Sequence, residues 1–203
     1  MRIGIFEGKK AYYNRMILKV LIENKPMKAW SIAKEIAKKG IKKTEKTIRE
    51  STQDIYSILI RKNGRLNELL EKKYIMKSEG FYFPTLKGII AVLVSEEKIP
   101  KIGDFYHGLL SEIKFPEKVR VPFFDIEVNG KKFEKGFKEF AESLSYQEGW
   151  IKIRSMFKEL LESGIDLDRI TDENAIDLLQ MKIMEYIMKH ENRKIGKLKA
   201  ESF

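Results

Sequence analysis

Three pieces of the chain decide the fold: Trp30-Ser-Ile-Ala-Lys-Glu-Ile-Ala-Lys-Lys-Gly40, Thr44-Glu-Lys-Thr-Ile-Arg-Glu-Ser-Thr-Gln-Asp54 and Tyr74-Ile-Met-Lys-Ser-Glu-Gly-Phe-Tyr-Phe-Pro-Thr85. In the first, Ile32, Ala33, Ile36 and Ala37 recur at the three- and four-residue spacing of a helix packed on one side. Gly40 ends it, because glycine enters the left-handed region without a Cβ penalty. Thr44 is placed to cap the next helix with its hydroxyl. Along that helix Ile48, Thr52, Ile55, Leu59, Leu66 and Leu70 form one stripe, and Lys46, Glu50, Gln53, Ser57 and Arg61 lie opposite. The apolar register crosses Asn63-Gly64. Two readings therefore stay open: one long helix that tolerates Gly64 at a cost of about 1 kcal/mol, or a helix that stops there and resumes at Arg65. The third piece reads as two short strands joined at Glu79-Gly80, a turn pair suited to a hairpin. Alternation sends Phe81 and Phe83 to one face of it and Tyr82 to the other.

Helix, turn, basic helix and hairpin in this order resemble the winged helix-turn-helix transcription factors, especially the MarR- and PadR-like regulators of archaea and bacteria. The residues that carry the likeness are WSIAKEIAKKGI, KKTEKTIRE and LNELLEKKYIMKSEGFYFPTLKGI, within residues 10–95. The stretch from Gly40 to Tyr74 is longer than a compact winged helix needs, which departs from that pattern. The resemblance implies that the second helix enters a major groove with its amino end on base edges. Lys42, Lys43, Lys46, Thr47, Arg49 and Gln53 are then the contact residues of a continuous helix. A helix broken at Gly64 adds Arg61, Lys62 and Arg65, and the hairpin adds Lys77 and Ser78 on phosphates. Arginine suits guanine and glutamine suits adenine, each through two hydrogen bonds. The competing reading of Glu45, Lys46, Arg49 and Glu50 is a solvated face with intrahelical ion pairs.

The charge distribution points the same way. Residues 1–100 hold 22 Lys plus Arg against 11 Asp plus Glu, and the rest of the chain 18 against 19, so the +10 net charge belongs entirely to the first half. A one-sided surplus of cations is the footprint of a polyanion partner, whereas a lysine-rich surface built for solubility interleaves both signs. With 43% hydrophobic residues the chain can build a core. No run approaches the roughly 20 apolar residues that span a bilayer, and the amino end lacks the apolar centre of a signal peptide. Absence of cysteine excludes disulfides and thiolate metal sites, and two histidines leave little for zinc. These features suggest a cytoplasmic protein without cofactor or metal. Its 34% charged residues, rich in lysine, fit a thermophilic source.

The remaining segments frame this unit. Residues 1–11 read as an edge strand or a loose arm, and most simply as a frayed terminus. Residues 12–23 form an amphipathic helix with Tyr13, Met16, Ile17, Val20 and Leu21 inward. Thr85 is an N-cap for the helix over 86–96, and Gly88 in it permits a close approach. Pro100 and Gly103 stand where the charge balance changes, which divides the chain into a winged-helix domain, 1–97, and a helical domain, 104–203. The second domain is read as helices over 105–113, 135–144, 147–162 and 172–190, with His107 half-buried. Residues 124–128, a turn at Asn129-Gly130 and 131–133 read as a short hairpin or as a lead into the next helix. The helix over 172–190 is apolar on more than one face and must be buried, either in its own domain or against a second subunit of a homodimer. The fold class is thus mostly α with a small β-hairpin wing.

Catalytic patterns are sparse. Asp125, Glu127 and Lys131 approximate the paired acids and lysine of metal-dependent nucleases, with unusual spacing. Asp166, Asp168, Asp172 and Glu173 fit loop and cap usage. The function implied is sequence-specific binding of double-stranded DNA by a transcriptional regulator, not an enzyme. The alternatives are a protein-docking module of a nucleic-acid-processing complex and, behind it, a nuclease.

Overall fold

A computed structural model describes residues 3–8, 11–40, 47–106, 118–121, 126–129, 131, 135, 147–170 and 181–182. Its most buried element is α5, Leu86–Ser95, in which every residue from Leu86 to Val94 is buried. An apolar helix with no wet face needs cover on all sides. Three elements supply it: α1 (Ala11–Glu23), the hairpin and, from the second half of the chain, α6 (Gln147–Glu162). Helix α1 buries Ile17, Leu18, Val20, Leu21 and Ile22 completely, a broader face than its amphipathic spacing indicates. Helix α6 contributes Trp150, Ile153, Met156, Phe157 and Leu160 to the same apolar cluster. Burying each such side chain is worth about 1.5–3 kcal/mol. Arg154 of α6 donates to the carbonyls of Glu96 and of Glu97 (3.1 Å), groups the end of α5 leaves unpaired. The core therefore runs from Ile3 to Ile170, past the compositional change at residues 98–103.

The fold is mostly helical, with a small antiparallel hairpin made of β1 (Ile75–Ser78) and β2 (Phe81–Pro84). Helices α2 (Ala29–Gly40) and α3 (Ile48–Ile60) pack on each other, and α3 is followed by the short α4 (Arg65–Glu71). The open question at Gly64 is answered by a break. Gly64 caps α4, and a Cβ there would lie 2.4 Å from the Leu59 carbonyl oxygen and 2.7 Å from that of Arg61. Asn67 also donates to the carbonyls of Arg61 and Lys62, at 3.3 and 3.2 Å, so the corner is hydrogen-bonded. The start of α3 differs from expectation too. Thr47 rather than Thr44 is the cap, because Thr47 exchanges hydrogen bonds with Glu50, and Thr44 lies outside the described residues.

The hairpin turns at Glu79 and Gly80, both at positive φ (51° and 81°), the twist that two-residue loops prefer. Its outer strand pairs further with the α1–α2 link: Met27 N–H donates to the Tyr82 carbonyl at 3.0 Å, and Tyr82 N–H to the Met27 carbonyl at 2.8 Å. Thr85 caps α5, as its position before the apolar run indicates. Gly88 is required by a close approach: an added Cβ would meet the Tyr74 carbonyl oxygen at 2.1 Å.

A second hairpin pairs β3 (Lys118–Val121) with β4 (Ile126–Asn129), Val119 opposite Val128. Its strands flank residues 122–125 rather than Asn129-Gly130, and Lys131 is helical, as a lead into the next helix would have it. The helix expected from residue 105 begins as a 3-10 turn, Asp104–Tyr106, and His107 lies outside the described residues. Of the helices over 135–144 and 172–190, only Lys135, Met181 and Lys182 are described, all helical. Among the described residues no helix is long and apolar enough to cross a membrane.

The amino end is packed rather than frayed. Ile3, Ile5 and Phe6 are buried, Asn14 donates to the Ile5 carbonyl at 2.9 Å, and Gly4 N–H donates to Asp168 at 2.9 Å. The other Asp168 oxygen accepts from the Tyr74 hydroxyl at 2.5 Å. Lys87 sits 4.4 Å above the Tyr74 ring and donates to the carbonyls of Lys72 (3.1 Å) and Asp168 (3.2 Å). One buried phenol thus joins the hairpin base, the amino end and the last described loop. Burial, and then the neighbouring Asp168 and Asp166, push the Tyr74 hydroxyl well above the ordinary tyrosine value of 10.0, and burial does the same to Tyr106. A folded pKa above the unfolded one contributes stability that is whole below pH 10 and is lost as pH rises beyond it. Thermal stability should accordingly fall above pH 10, and Tyr74→Phe should flatten that fall. Equal alkaline slopes for the two proteins would contradict the assignment.

Candidate nucleic-acid interface

Helix α3 is held lightly. Only Thr52 and Leu59 are buried along its 13 residues, with Ile55 and Tyr56 half-buried against the core. At 100° per residue, Arg49, Gln53, Tyr56 and Ile60 fall within one stripe about 60° wide. Tyr56 meets Trp30, at the start of α2, edge-to-face with ring centres 5.2 Å apart. That stripe therefore faces the hairpin side of the molecule, across a groove of about 620 Å³ lined by Lys28, Trp30, Tyr56, Ile60, Lys77 and Tyr82, among others. Asp54 lies on the other flank, where its charge reaches Tyr13 of α1 and, with burial and Tyr12, raises that phenol's pKa. The acid and the stripe thus lie on different flanks of the helix.

The sequence-predicted contact residues divide into three sets. Arg49, Gln53, Arg61, Lys62, Lys77 and Ser78 are exposed, and among the described residues none of the four cations has a carboxylate partner. Lys77 extends along the hairpin with its ammonium 5.2 Å from the Tyr82 ring centre. Thr47 is exposed but committed: its hydroxyl donates to Glu50 at 2.8 Å, its N–H donates to the same oxygen at 2.9 Å, and Glu50 N–H donates back at 3.3 Å. This capping box fixes the amino end of α3. Arg65 leaves the set altogether. It is buried, paired with Glu68 and bonded to the Asn63 carbonyl at 3.2 Å, so it braces the α3–α4 corner and faces no ligand. Lys42, Lys43 and Lys46 precede the cap and lie outside the described residues.

Among the residues of the groove, Trp30 (45% exposed) and Ile60 (46%) were not anticipated; on the other face of the hairpin Met76 (46%) and Phe81 (38%) are exposed as well. Helical register places Trp30 near Ala33 and Ala37 on the buried stripe of α2, so spacing alone marks it as core. Its exposure follows from its place in the first turn, beside the groove rather than under it. Lys28 was missed because it precedes α2; its ammonium lies 5.2 Å from the Phe81 ring centre.

Of the nuclease-like trio, Glu127 lies in β4, Lys131 is helical, and Asp125 is outside the described residues. Among the described residues no group of three His, Cys, Asp or Glu side chains could hold a metal ion.

If the capping box sets where α3 starts, Thr47→Ala should cost about 1 kcal/mol. That is a drop of roughly 2–4 °C in Tm for a chain of this size, and Thr47→Ser should restore most of it. An unchanged Tm in Thr47→Ala would show that the helix end is held by other contacts.

No family model, curated protein or solved structure matches this chain.

Proposed function

We propose that this protein binds double-stranded DNA through the Arg49–Ile60 flank of α3 and the β1–β2 hairpin, in the manner of a winged-helix transcriptional regulator. The observation that carries the reading is a group of exposed cations on α3, the corner after it and the hairpin. Arg15 and Lys19 are engaged by Glu96, Lys39 by Glu23, Lys38 by Glu35 and Arg65 by Glu68. Arg49, Arg61, Lys62 and Lys77, on α3, the corner after it and the hairpin, keep their charge without a carboxylate among the described residues. A phosphate backbone rewards such cations by releasing condensed counterions. The width of the major groove admits one α-helix, and the lightly held α3 has the exposure for it. Pairing of two chains through the apolar helix expected over 172–190 would present two such faces to a two-fold site.

Docking on a protein is the second reading, favoured by the exposed Trp30 and Ile60 of this groove and by Met76 and Phe81 on the other face of the hairpin.

DNA affinity measured against salt separates them. Duplex binding should weaken with a log–log slope of about −0.9 per phosphate contact. Arg49→Glu places an acid in the first turn of α3, where the helix dipole favours it, so folding should survive. Affinity should fall about tenfold or more and the slope should shrink by about one contact. Salt-independent binding, or affinity indifferent to Arg49→Glu and Arg61→Glu together, would contradict the proposal.

A further inference from the structure

We infer that the groove between α3 and the hairpin takes an unpaired nucleobase, so that the DNA partner is a junction of duplex and single strand. This rests on the duplex-binding reading and names what the groove adds to it. A duplex offers a protein base edges in its grooves, while its ring faces stay stacked. The groove offers ring faces. Trp30 is 45% exposed and contacts Tyr56 edge-to-face, at an interplanar angle of 69°, so Tyr56 covers at most one face of the indole. Lys28, which lines the groove, also reaches the ring of Phe81, 38% exposed on the other face of the hairpin. Aromatic faces alternating with cations are the pattern that holds single strands: the bases stack, the phosphates meet the charges, and no particular sequence is needed.

Charge on the rim agrees. Lys28 and Lys77 line the groove, and the exposed Arg61 and Lys62 follow Ile60 out of α3. Among the described residues none of the four pairs with a carboxylate. Glu79, at the turn, is the acid on this rim. A volume of about 620 Å³, open to solvent and continuous with the Arg49–Gln53 stripe, has room for a base displaced from the end of a helix lying on α3.

The test compares the full chain on a blunt duplex and on the same duplex with a five-nucleotide unpaired overhang, by anisotropy of the labelled DNA and by tryptophan emission. Trp150 is fully buried, so quenching on base stacking reports Trp30. The overhang should bind about tenfold tighter, the gain expected of one stacked base, and should quench emission where the blunt duplex does not. Trp30→Leu should erase the advantage of the overhang over the blunt duplex, and Trp30→Phe should keep most of it. Equal affinity of the two DNAs, or an advantage that survives Trp30→Leu, would overturn the inference while blunt-duplex binding still stands. Binding of neither DNA, with a glutamate–tyrosine copolymer shifting the emission instead, would make the groove a protein dock and remove both readings.

Discussion

Helix α5 is apolar all the way round, and the architecture follows from covering it. Leu86, Ile89, Ile90 and Leu93 carry the expected stripe, yet Ala91, Val92 and Val94 are buried as well. Helix α6 closes this cluster with Trp150, Ile153 and Phe157, and its Arg154 meets the carbonyls at the carboxyl end of α5. The cover contributes several side chains at about 1.5–3 kcal/mol each, a sum comparable to the whole stability of an ordinary domain, about 5–15 kcal/mol. The first half of the chain is therefore completed by the second. Gly88 belongs to the same requirement, since only a residue without Cβ lets the Tyr74 backbone lie against α5.

A rigid centre permits a loosely held periphery. Helix α3 makes its contacts almost wholly with α2 and α4, and most of its surface stays wet. Its two ends are fixed by local chemistry: the Thr47–Glu50 box at one, the Asn67 amide and Gly64 at the other. The hairpin is pinned by the Met27–Tyr82 bridge and, at its base, by Tyr74 on Asp168. A groove results whose walls are set by backbone pairing and whose lining is aromatic and basic. Side chains that make no internal contact are free to make external ones, and this is the physical basis of the functional proposal.

Much of this was legible in the residues. Three-and-four spacing located α1, α2, α5 and α6 to within a residue or two, Thr85 announced its helix, Glu79-Gly80 announced its turn, and Gly88 its close approach. The failures have physical causes. Thr44 and Thr47 are equally good caps by type, and only the Glu50 side chain, three residues after Thr47, marks the true start. Arg65 looked like an exposed cation because its type alone does not show that α4 packs it, paired with Glu68, into the α3–α4 corner. The amino-terminal residues look loose in isolation, because their anchor, Asp168, lies 164 positions away. Spacing along one helix says nothing of what a hairpin leaves uncovered, so Trp30 and Lys28 emerged only from the tertiary arrangement.

The account stands on α3 and the hairpin forming one surface that DNA covers. Backbone amide shifts of the intact chain, followed by NMR as a duplex is added, test this directly. The account predicts that the shifted amides cluster in residues 47–62 and 76–82, with the α6 face opposite α5 unmoved. Shifts confined to α6 and the residues after it, or no shifts at low salt, would contradict it.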